Sequence, residues 1–252
     1  MLTVSEAVDP ATVALQCWAL VPCAGSGSRA GAGLPKQYRV LAGQTLLQHT
    51  VAALLTASCV RKVVVVTAPG DGYAATLGLK GAKCDLLAVG GHSRAATVLN
   101  GLKALLEEGA GLSDWVLVHD AARCLIQPEQ IEALVAVCRD DEVGGLLAVP
   151  LADTLKSAVG DRVHETLDRS EKWLAQTPQM FRLGQLIVAL ELAGDRATDE
   201  ASAIEMLGLH PRLVVGDPLN LKVTYAQDFV TAELVLRERQ RFKPFRGVKS
   251  SC

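Results

Sequence analysis

The sequence predicts an α/β protein with a mostly parallel sheet and helices on both faces. Three observations carry this. Apolar strand-like runs alternate with segments of helical periodicity. One run, VVVVT at 63–67, is continuously β-branched, as in strands buried on both faces. The first run, at 17–21, opens directly into a glycine loop, the place where open α/β sheets bind nucleotides.

The elements follow in order. After the strand at 17–21 come strands at 63–67, 86–89, 115–119 (WVLVH) and 145–151 (GLLAVPL). Between them, residues 44–57, 93–108 and 128–139 space their apolar side chains for helices; Val98, Leu102, Leu105 and Leu106 share one face. Pro128 suits the first position of its helix. Such βαβ alternation gives a parallel sheet with right-handed crossovers. The pattern changes after Pro150. Residues 152–172 are polar and poor in large apolar groups, and read as an exposed hairpin turning near Gly160 and Asp161. A hairpin that leaves a domain needs a receiving surface to stay ordered. Helical spacing returns at 184–193 and 199–207, with Thr198 as the expected N-cap of the second. A strand pair at 213–215 and 221–224 and a helix at 227–240 close the chain.

The chain has 252 residues, 50% hydrophobic and 21% charged, which suits a single domain over 1–252 with 152–172 as an arm. The net charge of −2 gives no general attraction to nucleic acid. A locally basic stretch from Arg237 to Lys249 reads as a solvated terminus. Seven cysteines occur without a CxxC or a zinc spacing, so they read as buried thiols of a reducing compartment. No apolar run approaches 18 residues and no signal-peptide pattern opens the chain; the expectation is a soluble, cytoplasmic protein away from membranes.

The glycine loop holds Gly25, Gly27, Gly31 and Gly33, with Arg29 in it and Lys36 just after. Glycines let backbone N–H groups approach an anion, and the two cations meet phosphate oxygens. The loop therefore points to a polyphosphate. It is not a Walker loop, because Lys36 follows Pro35 and precedes Gln37. It fits the dinucleotide fingerprint only in its looser form, with Ala30 for the third glycine. An NAD-binding oxidoreductase also needs an acid near the end of the second strand, and that strand ends in Thr67, Ala68 and Pro69.

Other strand ends carry chemistry too. His119 ends WVLVH and Asp120 and Arg123 follow it; an aspartate there can hold Mg²⁺ or a substrate hydroxyl, and the arginine can meet an anion. Gly90 and Gly91 end another strand, with Arg94 and Thr97 on the helix beyond. Thr154 and Arg169 stand at the two ends of the arm segment, and Lys222 and Thr224 are expected on a late strand. The five histidines form no HxH or HExxH, and no nucleophile–base pair is evident.

Eight segments in order resemble the 2-C-methyl-D-erythritol 4-phosphate cytidylyltransferase family of the non-mevalonate isoprenoid pathway. They are PCAGSGSR and LPKQY within 22–38, GGHSRAATV at 90–98, VHDAAR at 118–123, ADTLK at 152–156, TLDR at 166–169, LAQTPQMF at 174–181, ATDEASAIE at 197–205 and LKVT at 221–224. The resemblance implies a Rossmann-like nucleotidyltransferase fold with a protruding β-arm, a homodimer with exchanged arms, and a divalent metal, usually Mg²⁺, held mainly by the CTP phosphates, with Asp120 as a further ligand. It implies cytidylyl transfer from CTP to methylerythritol phosphate. Ala24, Gly25 and Gly27 would wrap the CTP phosphates, Arg29, Lys36 and Lys222 would act on the reacting charge, and Gly91 and Thr97 would contact the cytidine. Asp120, Arg123, Thr198 and Thr224 would hold the second substrate, joined by Thr154 and Arg169 from the partner's arm. Cys23 and His92 depart from the family pattern, and Thr97 stands where serine is frequent. Cytidylyl transfer to ribitol 5-phosphate is the nearest alternative; a non-catalytic nucleotide-binding regulator has no need of Lys36, Asp120 and Lys222 together.

Overall fold

In the computed structural model, residues 15–25 and 34–241 are described. Among them, the main sheet has seven strands, β1 (Cys17–Pro22), β4 (Val60–Val66), β5 (Cys84–Leu87), β6 (Trp115–Val118), β7 (Gly144–Pro150), β10 (Trp173–Arg182) and β11 (Arg212–Val215), in the order β11-β7-β10-β6-β1-β4-β5. β10 alone runs antiparallel to its neighbours β6 and β7; the pairs β1–β4, β1–β6, β4–β5 and β7–β11 are parallel. Small hairpin strands β2 (Val40–Leu41) and β3 (Gln44–Thr45) precede the first helix, α1 (Leu46–Thr56), which a Thr45–Gln48 capping box starts.

Both faces of the sheet are covered, which is why its strands read as unbroken apolar runs. On β1, Cys17, Ala19 and Val21 enter one core with Leu47, Val51 and Leu54 of α1 and Ile131, Leu134 and Val135 of α4 (Pro128–Cys138). Trp18 and Leu20 point the other way, to Val98, Leu102 and Leu105 of α3 (Arg94–Glu107) and to α5 (Leu183–Ala193) and α6 (Glu200–Glu205). The period of two puts successive side chains on opposite faces. A third cluster seats α7 (Ala226–Arg241) through Phe229, Ala232 and Leu236 against Leu41, Leu46, Leu125 and Val223.

The arm is present. β8 (Leu155–Val159) and β9 (Arg162–Leu167) pair antiparallel in a sheet of their own, and Gly160, at φ +62°, makes the turn. Every residue of β9 is exposed.

Several expectations are corrected. β10 was not anticipated, because Gln176, Thr177 and Gln179 interrupt the strand pattern; its pairing with β7 shifts register between Ala175 and Gln179. The expected late strand pair is a single strand, β11; residues 221–224, with Lys222 and Thr224, have no regular structure. Asp199, not Thr198, caps α6, accepting from the Ser202 N–H in a capping box. A short helix, α2 (Tyr73–Thr76), follows β4. The basic stretch belongs to α7 as far as Arg241; beyond that it lies outside the described residues.

Candidate active site

The carboxyl ends of β1 and β6 and the start of α3 meet at a cleft of about 500 Å³. Ala24, Gly25, Lys36, Gly91, Thr97, Asp120, Lys222 and Thr224, all expected from sequence, line it. Gly27 and Arg29 lie outside the described residues.

The loop after β1 is clamped from below. Gln37, 5% exposed, donates its amide hydrogens to the carbonyl oxygens of Cys23 (3.1 Å) and Gly25 (2.9 Å). The Cys23 thiol lies under the loop against the Tyr38 hydroxyl, which also bonds Asp71; burial pushes that thiol up to about 12, so it is inert. The loop also needs glycine at its neighbour: a Cβ on Gly90 would stand 2.4 Å from the Ala24 Cβ and 2.7 Å from the Thr67 carbonyl oxygen. Gly90 is therefore fixed by the protein's own packing. The Thr97 hydroxyl accepts from the Gly91 N–H (3.1 Å) and donates to the Ser93 carbonyl (2.8 Å), which makes it a brace of the turn as well as part of the wall.

Charge concentrates at Asp120. Its Oδ1 accepts from Arg94 Nε (2.9 Å) and its Oδ2 from Lys222 Nζ (2.7 Å). Burial opposes the ionised form, but Arg94 and Lys222 prevail and hold this carboxyl well below the usual range. The Asp120 backbone is set by its neighbours. Its N–H donates to Thr177 Oγ1 (3.1 Å), and Thr177 lies 3.0 Å from Nδ1 of His119, which is fully buried. His119 Nε2 faces the Arg123 carbonyl (3.2 Å), which can only accept. Nε2 therefore carries the proton, and the Thr177 hydroxyl donates to Nδ1. Burial lowers the His119 pKa from 6.5 to about 4, so this tie between β6 and β10 is neutral at physiological pH.

Asp120 is the one carboxylate among the described residues lining the cleft, and no group of three His, Cys, Asp or Glu side chains converges among them. A metal centre held by the protein alone does not fit. A Mg²⁺ carried in on a triphosphate does, since such ions keep waters and take one or two carboxylates beside substrate phosphates.

A family model described as 2-C-methyl-D-erythritol 4-phosphate cytidylyltransferase matches residues 17–238. The chain belongs to this cytidylyltransferase family. A 2-C-methyl-D-erythritol 4-phosphate cytidylyltransferase of Laribacter hongkongensis is 53% identical over 224 residues, 88% of this chain and 96% of its own. A bifunctional IspD/IspF enzyme of Albidiferax ferrireducens is 57% identical over 89% of this chain; the chain spans about half of it, 54%. A crystal structure of a 4-diphosphocytidyl-2C-methyl-D-erythritol synthase superposes with TM-score 0.80 at 40% identity, covering 89% of this chain and all of that one. A Thermus thermophilus cytidylyltransferase does so with TM-score 0.73 at 30% identity, covering 88% and 100%.

Four of the expected cytidylyltransferase residues do not line the cleft. Arg123 turns away from it: its guanidinium donates to the carbonyl oxygens of Asn220 (2.6 Å) and Ala175 (3.1 Å). It braces the root of the arm rather than joining Asp120 at the pocket. Thr198 is exposed, and its N–H and hydroxyl both bond Ser202 Oγ. Thr154 and Arg169 are exposed and flank the Leu155–Leu167 pair, so the two ends of the arm segment stand together at its base. Sequence spacing assigns no role to Gln37, His119 or Thr177, although they sit inside the LPKQY, VHDAAR and LAQTPQMF segments. The only signal was a buried-polar pattern that a lone sequence does not separate from a surface one.

Proposed function

We infer that this chain transfers the cytidylyl group of CTP to 2-C-methyl-D-erythritol 4-phosphate, the reaction that names its family. A phosphate oxygen of the polyol phosphate attacks the α-phosphorus of CTP in line. The bond from that phosphorus to the β-phosphate bridging oxygen breaks, and pyrophosphate leaves. Charge gathers at the α-phosphorus, where preorganised cations are worth most. The observation that carries this reading is the pairing of Lys36 and Lys222 across one cleft: Lys36 Nζ donates to the Val223 carbonyl at 3.0 Å, one residue from Lys222. Two ammonium groups thus serve one site, the first beside the triphosphate loop and the second beside Asp120. Mg²⁺ on the triphosphate would neutralise the departing pyrophosphate, with Asp120 the adjoining carboxylate.

The exposed arm supports a homodimer in which each arm reaches the other subunit's cleft. Arg169 and Thr154 at its base are the groups it would bring. No described helix is long and apolar enough to cross a membrane, and the six described cysteines are free thiols, which accords with a cytoplasmic setting. Pyrophosphate release measured with CTP, a divalent metal and a panel of polyol phosphates tests the reading. Turnover with methylerythritol phosphate is expected. Faster turnover with ribitol 5-phosphate would reassign the substrate.

A further inference from the structure

One buried charge takes no part in the chemistry above. Glu200, the first residue of α6, is fully buried, and its carboxylate does not line the cleft. Its neighbours Ala201, Ala203 and Ile204 pack in the apolar core beside α3 and α5. An apolar side chain would satisfy that core. A buried carboxylate is costly unless paired, so its presence asks for a reason.

The pairing is specific. Arg94 Nη1 donates to Glu200 Oε1 (2.7 Å) and Nη2 to Oε2 (3.0 Å), while Nε of the same guanidinium donates to Asp120 Oδ1. Both Glu200 oxygens accept from Arg94 N–H groups, the pattern of an ionised carboxylate, against the burial that pushes its pKa up. The guanidinium is planar and rigid, and holding its two Nη atoms fixes the direction of its Nε–H bond. In this arrangement Arg94 gives Asp120 one hydrogen bond, from Nε to Oδ1. The other oxygen, Oδ2, accepts from Lys222, whose side chain is 42% exposed. Glu200 is itself held in place: Gln179 accepts from the Ala201 N–H (2.7 Å) and donates to Asp199 (2.8 Å), tying the start of α6 to β10 on both sides of Glu200.

We propose that Glu200 is a positioning residue that acts through Arg94 and Asp120 to set where the Lys222 ammonium stands in the cleft. Without its charge, Arg94 rotates to hold both Asp120 oxygens, as arginine prefers with a lone carboxylate, and Lys222 loses its anchor. The proposal rests on the reading that Lys222 acts on the reacting charge beside Asp120, an expected contact of the polyol phosphate, and deepens it.

Steady-state kinetics of E200Q, in wild-type and K222A backgrounds, test it. Glu200→Gln keeps the shape and removes the charge. Expected is a roughly tenfold loss of kcat/KM for methylerythritol phosphate, an unchanged KM for CTP, and no further loss when E200Q is added to K222A, since the residues act as one chain. A structural role for Glu200 would instead move both KM values and persist in K222A; either result overturns the proposal, as does wild-type kcat/KM in E200Q. If E200Q shows no cooperative melt, R94K replaces it, because lysine cannot fork Glu200 and also reach Asp120; the same outcomes decide. Failure of the wild type itself to use methylerythritol phosphate would count against the substrate assignment, separately from the chain of charges.

Discussion

The Lys36 ammonium donates to the backbone carbonyl of Val223 at 3.0 Å, across 187 residues of sequence. That bond joins the loop after β1 to the irregular segment carrying Lys222 and Thr224. Among the described residues neither segment is part of a sheet, and side chains such as Lys36 and Gln37 help fix the cleft's two sides.

Lys36→Ala should lower kcat by about 10²–10³, the usual cost of one lost preorganised donor at developing charge. Near-normal kcat in a folded variant would remove Lys36 from the chemistry. Comparison of melting curves separates this from unfolding.

Gln37→Glu tests the clamp beneath the loop. A carboxylate there would face two carbonyl oxygens with no hydrogen to share, and each carbonyl left unpaired costs about 1–3 kcal/mol. The expected result is a clear rise in the KM for CTP with a smaller change in that for the polyol phosphate. Equal affinity for CTP in the variant would show that the loop holds its shape without the amide.

His119 makes stability pH-dependent. Its folded pKa, about 4, lies below the ordinary 6.5, so between those values the unfolded chain binds more protons. The contribution is complete above pH 6.5 and is lost as pH falls toward 4, amounting to about 3 kcal/mol. In His119→Gln, unfolding free energy measured from pH 7 to pH 4 should be lower at the start and should fall less steeply. A slope equal to wild type would show that another group carries it.

The arm is tested by complementation. On the proposed exchange of arms, Lys36→Ala would damage its own subunit's site, and Arg169→Ala the partner's. Each homodimer should be nearly inactive, while the two refolded together should recover roughly a quarter of sites, since half the dimers are mixed and each has one intact site. No recovery, with wild type refolding well alongside, would place Arg169 in its own subunit or outside the site.

Much of this was legible in the sequence, for physical reasons. β1, β6 and the Val63–Val66 run of β4 announce themselves because both faces are covered and every side chain is apolar. The cleft's strand-end residues were visible because glycines and charges at such ends have few structural uses. β10 was hidden by Gln176, Thr177 and Gln179, whose amides and hydroxyl bond inward to Asp217, His119 and Asp199. Residues 221–224 looked like a strand because Leu221 and Val223 are apolar, but they pack under α7 rather than in a ladder. Arg123 was read as facing an anion; its partners are backbone carbonyls, which sequence spacing does not display.

The central claim is in-line attack by the polyol phosphate on the α-phosphorus of CTP. Methylerythritol phosphate labelled with ¹⁸O on its phosphate, turned over with CTP and Mg²⁺ and followed by ³¹P NMR and mass spectrometry, tests it directly. The account predicts one pyrophosphate released per cytidylylated product, with label retained in the new diphosphate bridge. Release of CMP, or of product without bridging label, would contradict it.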